Sequence, residues 1–115
     1  MFRFEHLQIW QEAIDYVAEI FEIASSLPKE TQYNVGSQIR SAVLSISNNI
    51  AEGSGSFSAR DFKVFLNYSV RSVFETVSIL IVCKRKGWID EKCFKDVYEK
   101  GEKLARKITN FRKSL

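Results

Sequence analysis

One proline, one histidine and two cysteines are all that this 115-residue chain holds of the residues that most often break helices, ligate metals or cross-link. A structural zinc site usually takes four Cys or His ligands at short spacing, so His6, Cys83 and Cys93 cannot build one, and neither metal nor cofactor is expected. The same scarcity excludes a hydrolase triad, because His6 stands at the start of the first predicted helix with no nucleophile placed beside it. No stretch has the β-branched alternation of a strand. The longest oily run, Val77 to Cys83, is interrupted by Ser78 and falls well short of the roughly 20 apolar residues that span a bilayer, so no membrane partner is expected. The opening residues, Met1 to His6, lack the apolar core of a secretory segment. Two thiols in such a chain read as reduced, which implies a cytoplasmic protein.

What remains is a composition of 45% hydrophobic and 27% charged residues, that of an ordinary globule, and a length that suits one domain over residues 1–115. Pro28 and the glycine-bearing breaks divide it into four amphipathic stretches, predicted as helices over about 6–26, 30–52, 58–86 and 91–113. In the first, Leu7, Trp10, Ile14, Val17, Phe21 and Ala24 follow 3,4 spacing, and this stripe is expected to face the core. Ile9, Ala13, Tyr16, Ile20, Ile23 and Leu27 repeat the pattern about 110° further round, more apolar surface than one bundle needs, which predicts self-association. The second helix turns Val35, Ile39, Ala42, Val43, Ile46 and Ile50 inward and is expected to stop at Gly53, with Gly53 to Ser56 as a flexible connector. Ser58 should cap the third helix and Asp90 the fourth, with Gly87 ending the third. Short links force neighbours antiparallel, so the fold class is all-α, an up-down-up-down four-helix bundle.

The polar face of the second helix and the start of the third carry a resemblance. The string from Gln38 through Ile39, Arg40, Ala42, Ser45, Ile46, Asn49, Ile50, Ala51 and Glu52 to Gly53, followed by Phe65, Leu66, Ser72 and Glu75, resembles the family of four-helix bundle proteins known as 23S rRNA intervening-sequence proteins. Phe4, Leu7, Trp10, the Pro28 turn and Gly87-Trp88-Ile89 fit the same pattern, so the likeness spans nearly the whole chain. Three positions depart from it: Ser41 where a second arginine is common, Ser47 where a proline is common, and Arg71 where a glycine precedes Ser72. The resemblance implies a small bundle assembled as a homopentamer, with no enzymatic activity, in contact with RNA or a nucleoprotein. Gln38, Arg40, Ser45, Asn49, Glu52, Ser72 and Glu75 then form a structural polar cluster. Within it an Arg40–Glu75 ion pair is expected to fix the register of helices two and three, while Asn49 and Glu52 are expected to cap or bridge the Gly-Ser loop.

Charge supplies the functional expectation. Residues 84–115 hold eleven Lys/Arg against five Asp/Glu, whereas residues 1–83 hold six against nine. Lys84, Arg85, Lys86, Lys100, Lys103, Arg106, Lys107, Arg112 and Lys113 are the candidate phosphate-contacting residues, and copies of them in an oligomer would add into a basic face. Two readings compete with this one. Cations near a helix C-terminus are ordinary surface design, and the acidic stripe Glu12, Asp15, Glu19 and Glu22 could neutralise part of the basic helix. The alternative function is a protein-interaction scaffold without direct nucleic-acid contact. No small-molecule substrate is implied by either.

Overall fold

A computed structural model describes all of residues 1–115 as four α-helices without strands: α1 (Gln8–Ser26), α2 (Ser37–Ser54), α3 (Ala59–Arg85) and α4 (Glu91–Lys113). They pack into a rod of 44 × 24 × 21 Å. Hydrogen bonds between helices fix the pairing. Ser69 Oγ donates to the Ile46 carbonyl and Ser72 Oγ to Ser45 Oγ, so α2 and α3 run antiparallel, and Tyr16 Oη donates to the Val97 carbonyl in the matching α1–α4 pair. A single core of Ile20, Ile39, Val43, Ile46, Ile50, Leu66, Leu80 and Ile108 fills the space between them.

The first helix buries the stripe that the sequence reading had set aside. Ile9, Ala13, Tyr16, Ile20, Ile23 and Leu27 are buried, whereas Leu7, Trp10, Val17 and Phe21 are half-covered on the flank of the core and Ile14 is exposed. The reason is steric. Ala13 and Ile20 present a flatter surface for three neighbouring helices than a row bearing Trp10 and Phe21, and those large rings cover the rim, Trp10 against Phe4 at 4.9 Å between centroids. The doubled stripe is therefore mostly consumed within one chain and no longer argues for self-association.

The link between α1 and α2 is longer than expected. A 3-10 turn over Lys29–Thr31 and a π-turn over Gln32–Gly36 replace the α-helix predicted from about residue 30. Gln32 explains the detour: its side-chain amide donates to the Ala24 carbonyl, which also accepts the Leu27 amide, and to the Leu27 carbonyl, and its oxygen accepts from Arg40 Nη2 at 2.8 Å. Arg40 is thus held on the α1 side of α2 and makes no ion pair with Glu75, which is exposed. The expected register lock is instead made by Ser45, Ser69 and Ser72.

Gly53 does not end α2. It lies buried in the last turn, where a Cβ would come within 2.8 Å of both Phe62 Cδ1 and Phe65 Cβ, so glycine is required for α2 and α3 to close on each other. Gly53 and Ser54 accordingly belong to the helix, and the connector shrinks to Gly55–Ser58. The other punctuation is as read: Ser58 Oγ accepts from the Asp61 amide, an Asp90 carboxylate oxygen from the Cys93 amide, and Gly87 takes φ 76° after α3.

By length and composition alone α3 could cross a membrane, a property not anticipated from its short oily runs. Its buried residues are Phe62, Leu66, Ser69, Val73, Thr76, Leu80 and Cys83. Much of its remaining apolar surface faces outward, including Val64, Tyr68, Phe74, Ile81 and Val82.

Candidate nucleic-acid interface

The α1–α4 seam decides how much of the basic stretch is available. Lys107 Nζ lies 2.7 Å from Glu12 Oε1, and Lys100 Nζ lies 2.6 Å from Glu19 and 3.1 Å from Asp96. Hydrogen bonds donated to both carboxylates hold the Lys100 ammonium above its usual pKa. The second oxygen of Glu12 is buried and accepts nothing within the chain. The acidic stripe of α1 therefore neutralises two of the candidate cations, as the competing reading required, and Asp15 with Glu19 gives this side of the rod a mixed character.

Lys84 is likewise occupied, 2.9 Å from Glu91 and 4.7 Å from the centre of the Phe94 ring, while Lys86 stacks on Trp88 at 5.7 Å. Arg85, Lys103, Arg106 and Lys113 are exposed, and no carboxylate lies within 4.0 Å of any of them. Arg112 donates through Nε to the Lys63 carbonyl at 3.0 Å. The nine residues do not form one patch. Because α3 and α4 run the length of the rod, the Lys84-Arg85-Lys86 corner sits at one end and Arg112 and Lys113 at the other.

At that second end the fold gathers cations the sequence reading did not include. Arg3 lies over the Phe62 ring at 5.1 Å, Phe62 meets Phe111 edge-on at 5.7 Å, and the Arg112–Lys63 hydrogen bond ties the same corner together. Arg3, Lys63 and Arg112, with Arg60 and Lys113 nearby in the chain, thus converge from α3, α4 and the N-terminal turn, and none has a carboxylate within salt-bridge distance. Arg3, Arg60 and Lys63, the ones the sequence reading did not include, have no basic residue next to them in the chain. The one available signal was the placement of Arg3 between Phe2 and Phe4, and of Lys63 beside Phe62, where a cation can rest on an aromatic face.

The motif residues divide. Ser45, Asn49, Ser72 and Glu75 line a shallow groove between α2 and α3 together with Tyr68 and Arg71. Asn49 Nδ2 donates back to the carbonyl and the hydroxyl of Ser45, so it neither caps nor bridges the loop; Glu52 and Gln38 are exposed on the same helix, and Arg40 is on the other side. Cys83 and Cys93 are free thiols, both raised in pKa chiefly by burial, which makes them poor nucleophiles. No group of three or more metal-ligating side chains exists.

Comparison with known proteins follows the fold. The family model of the 23S rRNA-intervening sequence protein matches residues 5–110. A crystal structure of a protein of unknown function from the S23 ribosomal protein family of Bacteroides thetaiotaomicron is similar at a TM-score of 0.85, with 19% identity over 91% of this chain and 98% of that one. At that identity the likeness concerns the fold. No curated protein matches the sequence, and neither the family description nor the neighbour's names a reaction.

Proposed function

The chain belongs to the 23S rRNA-intervening sequence protein family, and from that membership and its charge distribution we propose that it is a non-enzymatic, self-associating bundle that binds structured RNA or a ribonucleoprotein through phosphate contacts. The observation that carries the reading is the convergence of Arg3, Lys63 and Arg112 on one end of the rod with no carboxylate in reach. Arg106 and Lys113 extend that end along the outer side of α4, whereas Lys103 lines the α1–α4 groove beside Glu12, Asp15 and Glu19. Arg85 and Lys86 form a smaller basic corner at the far end. Lys100 and Lys107 are withdrawn from the proposed contact set, because their charges are spent on Glu19, Asp96 and Glu12.

Phosphate contact has a definite signature. Each cation that displaces a counterion contributes about 0.9 to the slope of log K against log salt for a duplex and about 0.7 for a single strand. Converting Arg3, Lys63 and Arg112 together to glutamine should lower the slope by about 2–3, measured by fluorescence anisotropy with a structured RNA hairpin. The same triple change at Lys100, Lys107 and Lys84 should alter it far less. An affinity indifferent to salt and to Arg3, Lys63 and Arg112 overturns the proposal and supports the scaffold reading.

A further inference from the structure

The basic end of the rod also carries aromatic rings that the core does not use. Phe2 is 72% exposed and Phe57 fully so. Both lie where Arg3, Lys63 and Arg112 converge: Phe2 precedes Arg3, and Phe57 stands on the connector that leads to Phe62, the ring beneath Arg3. Side chains alternate along the N-terminal turn. Arg3 turns to Phe62, while its neighbours Phe2 and Phe4 stack on each other at 5.7 Å between centroids and 17° between planes, and Trp10 meets Phe4 edge-on. One face of Phe2 is thus backed by a half-buried ring, which leaves the other to solvent. A ring held by a second ring keeps its orientation and loses little freedom when a ligand is laid on it.

Cations frame these rings. Arg60 and Lys63, three residues apart, share one side of the first turns of α3, and Lys113 follows Arg112 at the end of α4. Against Arg3 and these four, the same end holds Glu5, Glu52 and Asp61, and the Glu5 carboxylate is engaged by the Phe2 amide at 2.9 Å. The balance is positive. A single exposed ring is ordinary on a protein surface, but open apolar faces set among cations match a polyanion that itself carries flat apolar groups. In a duplex the bases are stacked on one another and show only their edges, whereas an unpaired base has a free π-face. The other exposed aromatic rings lack this setting: Tyr68 and Phe74 lie on the flank of α3, and Tyr33 lies in the α1–α2 link.

We infer that this end of the rod binds unpaired nucleotides, with bases stacked on Phe2 and Phe57 and the adjoining phosphates held by Arg3, Arg60, Lys63 and Arg112. The inference rests on the phosphate contacts proposed above and narrows their target to a loop, bulge or overhang of a structured RNA. Every base has a face to stack, so such a site selects the unpaired state and not a particular base.

Fluorescence anisotropy with three RNA probes tests this: a blunt duplex, the same duplex with an unpaired overhang, and that overhang made abasic, which keeps its phosphates and removes its bases. The overhang should tighten binding over the blunt duplex, and the abasic form should lose most of the gain. F2A and F57A should each weaken binding of the overhang probe by about 5-fold or more. Both should leave the blunt duplex and the salt slope unchanged, since no cation is lost. F57Y keeps a flat ring and should retain the gain; F57L keeps only apolar bulk and should not. F74A, on the flank, should behave as the unaltered chain. Circular dichroism checks the fold of each variant, and F57A carries the test where F2A loosens the turn that Phe2 and Phe4 share. Equal affinity for blunt and overhang probes, or an abasic overhang bound as tightly as the intact one, would overturn the stacking. A lower mass by light scattering in F57A, with RNA binding unchanged, would assign that ring to a contact between copies and overturn it as well. Where Arg3, Lys63 and Arg112 govern the slope and the bases make no difference, the phosphate reading stands and this one falls; where no probe binds, both fall.

Discussion

Gly53 and Tyr16 show how single residues set the spacing of the helices. Glycine at 53 is demanded by two aromatic side chains and not by a turn, so Gly53→Ala should cost about 1–3 kcal/mol through overpacking, despite alanine's better helix propensity. Urea unfolding would measure it. Tyr16 donates to the Val97 carbonyl from a buried position, and burial, then Glu19 and Asp96, push its pKa far above the ordinary value of 10.0. A phenol that stays protonated in the folded chain while the unfolded chain ionises makes stability fall as pH rises above 10. Cys83 and Cys93, also raised, add the same sign from about pH 8.5. The Lys100 ammonium, raised by its two carboxylates, contributes stability below its unfolded pKa that is lost as pH climbs through the folded one, so all four groups weaken the fold on the alkaline side. Tyr16→Phe should lower stability near pH 7 by about 1 kcal/mol and flatten the loss above pH 10, as read from thermal melts across pH.

Among the elements, the α1–α2 link and the α2–α3 pair separate what sequence could reveal from what it could not. Helix ends governed by local chemistry were legible: Ser58, Asp90 and Gly87 act on amides and dihedrals within a few residues of themselves. Arg40 was not, because its partner was chosen by which side of α2 faces α1, a tertiary fact. Gln32, eight residues away across the π-turn, took it. A double-mutant cycle should therefore find coupling of about 0.5 kcal/mol or more between Arg40 and Gln32, and additivity within about 0.5 kcal/mol between Arg40 and Glu75. The core stripe of α1 was misassigned for a related reason. Two apolar stripes of equal period cannot be ranked by spacing, and only the shape of the opposing surface favours Ala13 and Ile20 over Trp10 and Phe21.

At the scale of the whole molecule, antiparallel pairing sorted the charges. An excess of cations after residue 84 was plain in the sequence, but its distribution was not: α1 and α4 lie side by side, so Glu12 and Glu19 meet Lys107 and Lys100, and the excess survives at the ends of the rod. Arg3 and Lys63, distant from the basic stretch in sequence, join Arg112 for the same topological reason. The candidate site is thus half legible. Its residue type and its helix could be read, whereas its membership depended on which helix ends share a pole.

That polar arrangement has a further effect. Mobile ions damp a field over about 8 Å at physiological strength, a small fraction of the 44 Å axis, so the two poles cannot reinforce one another, and under the proposed phosphate contact each would meet its own stretch of polyanion separately. On that proposal such a body would tether as well as adhere: with one tip engaged, the other would be free to catch a distant segment and draw the two together.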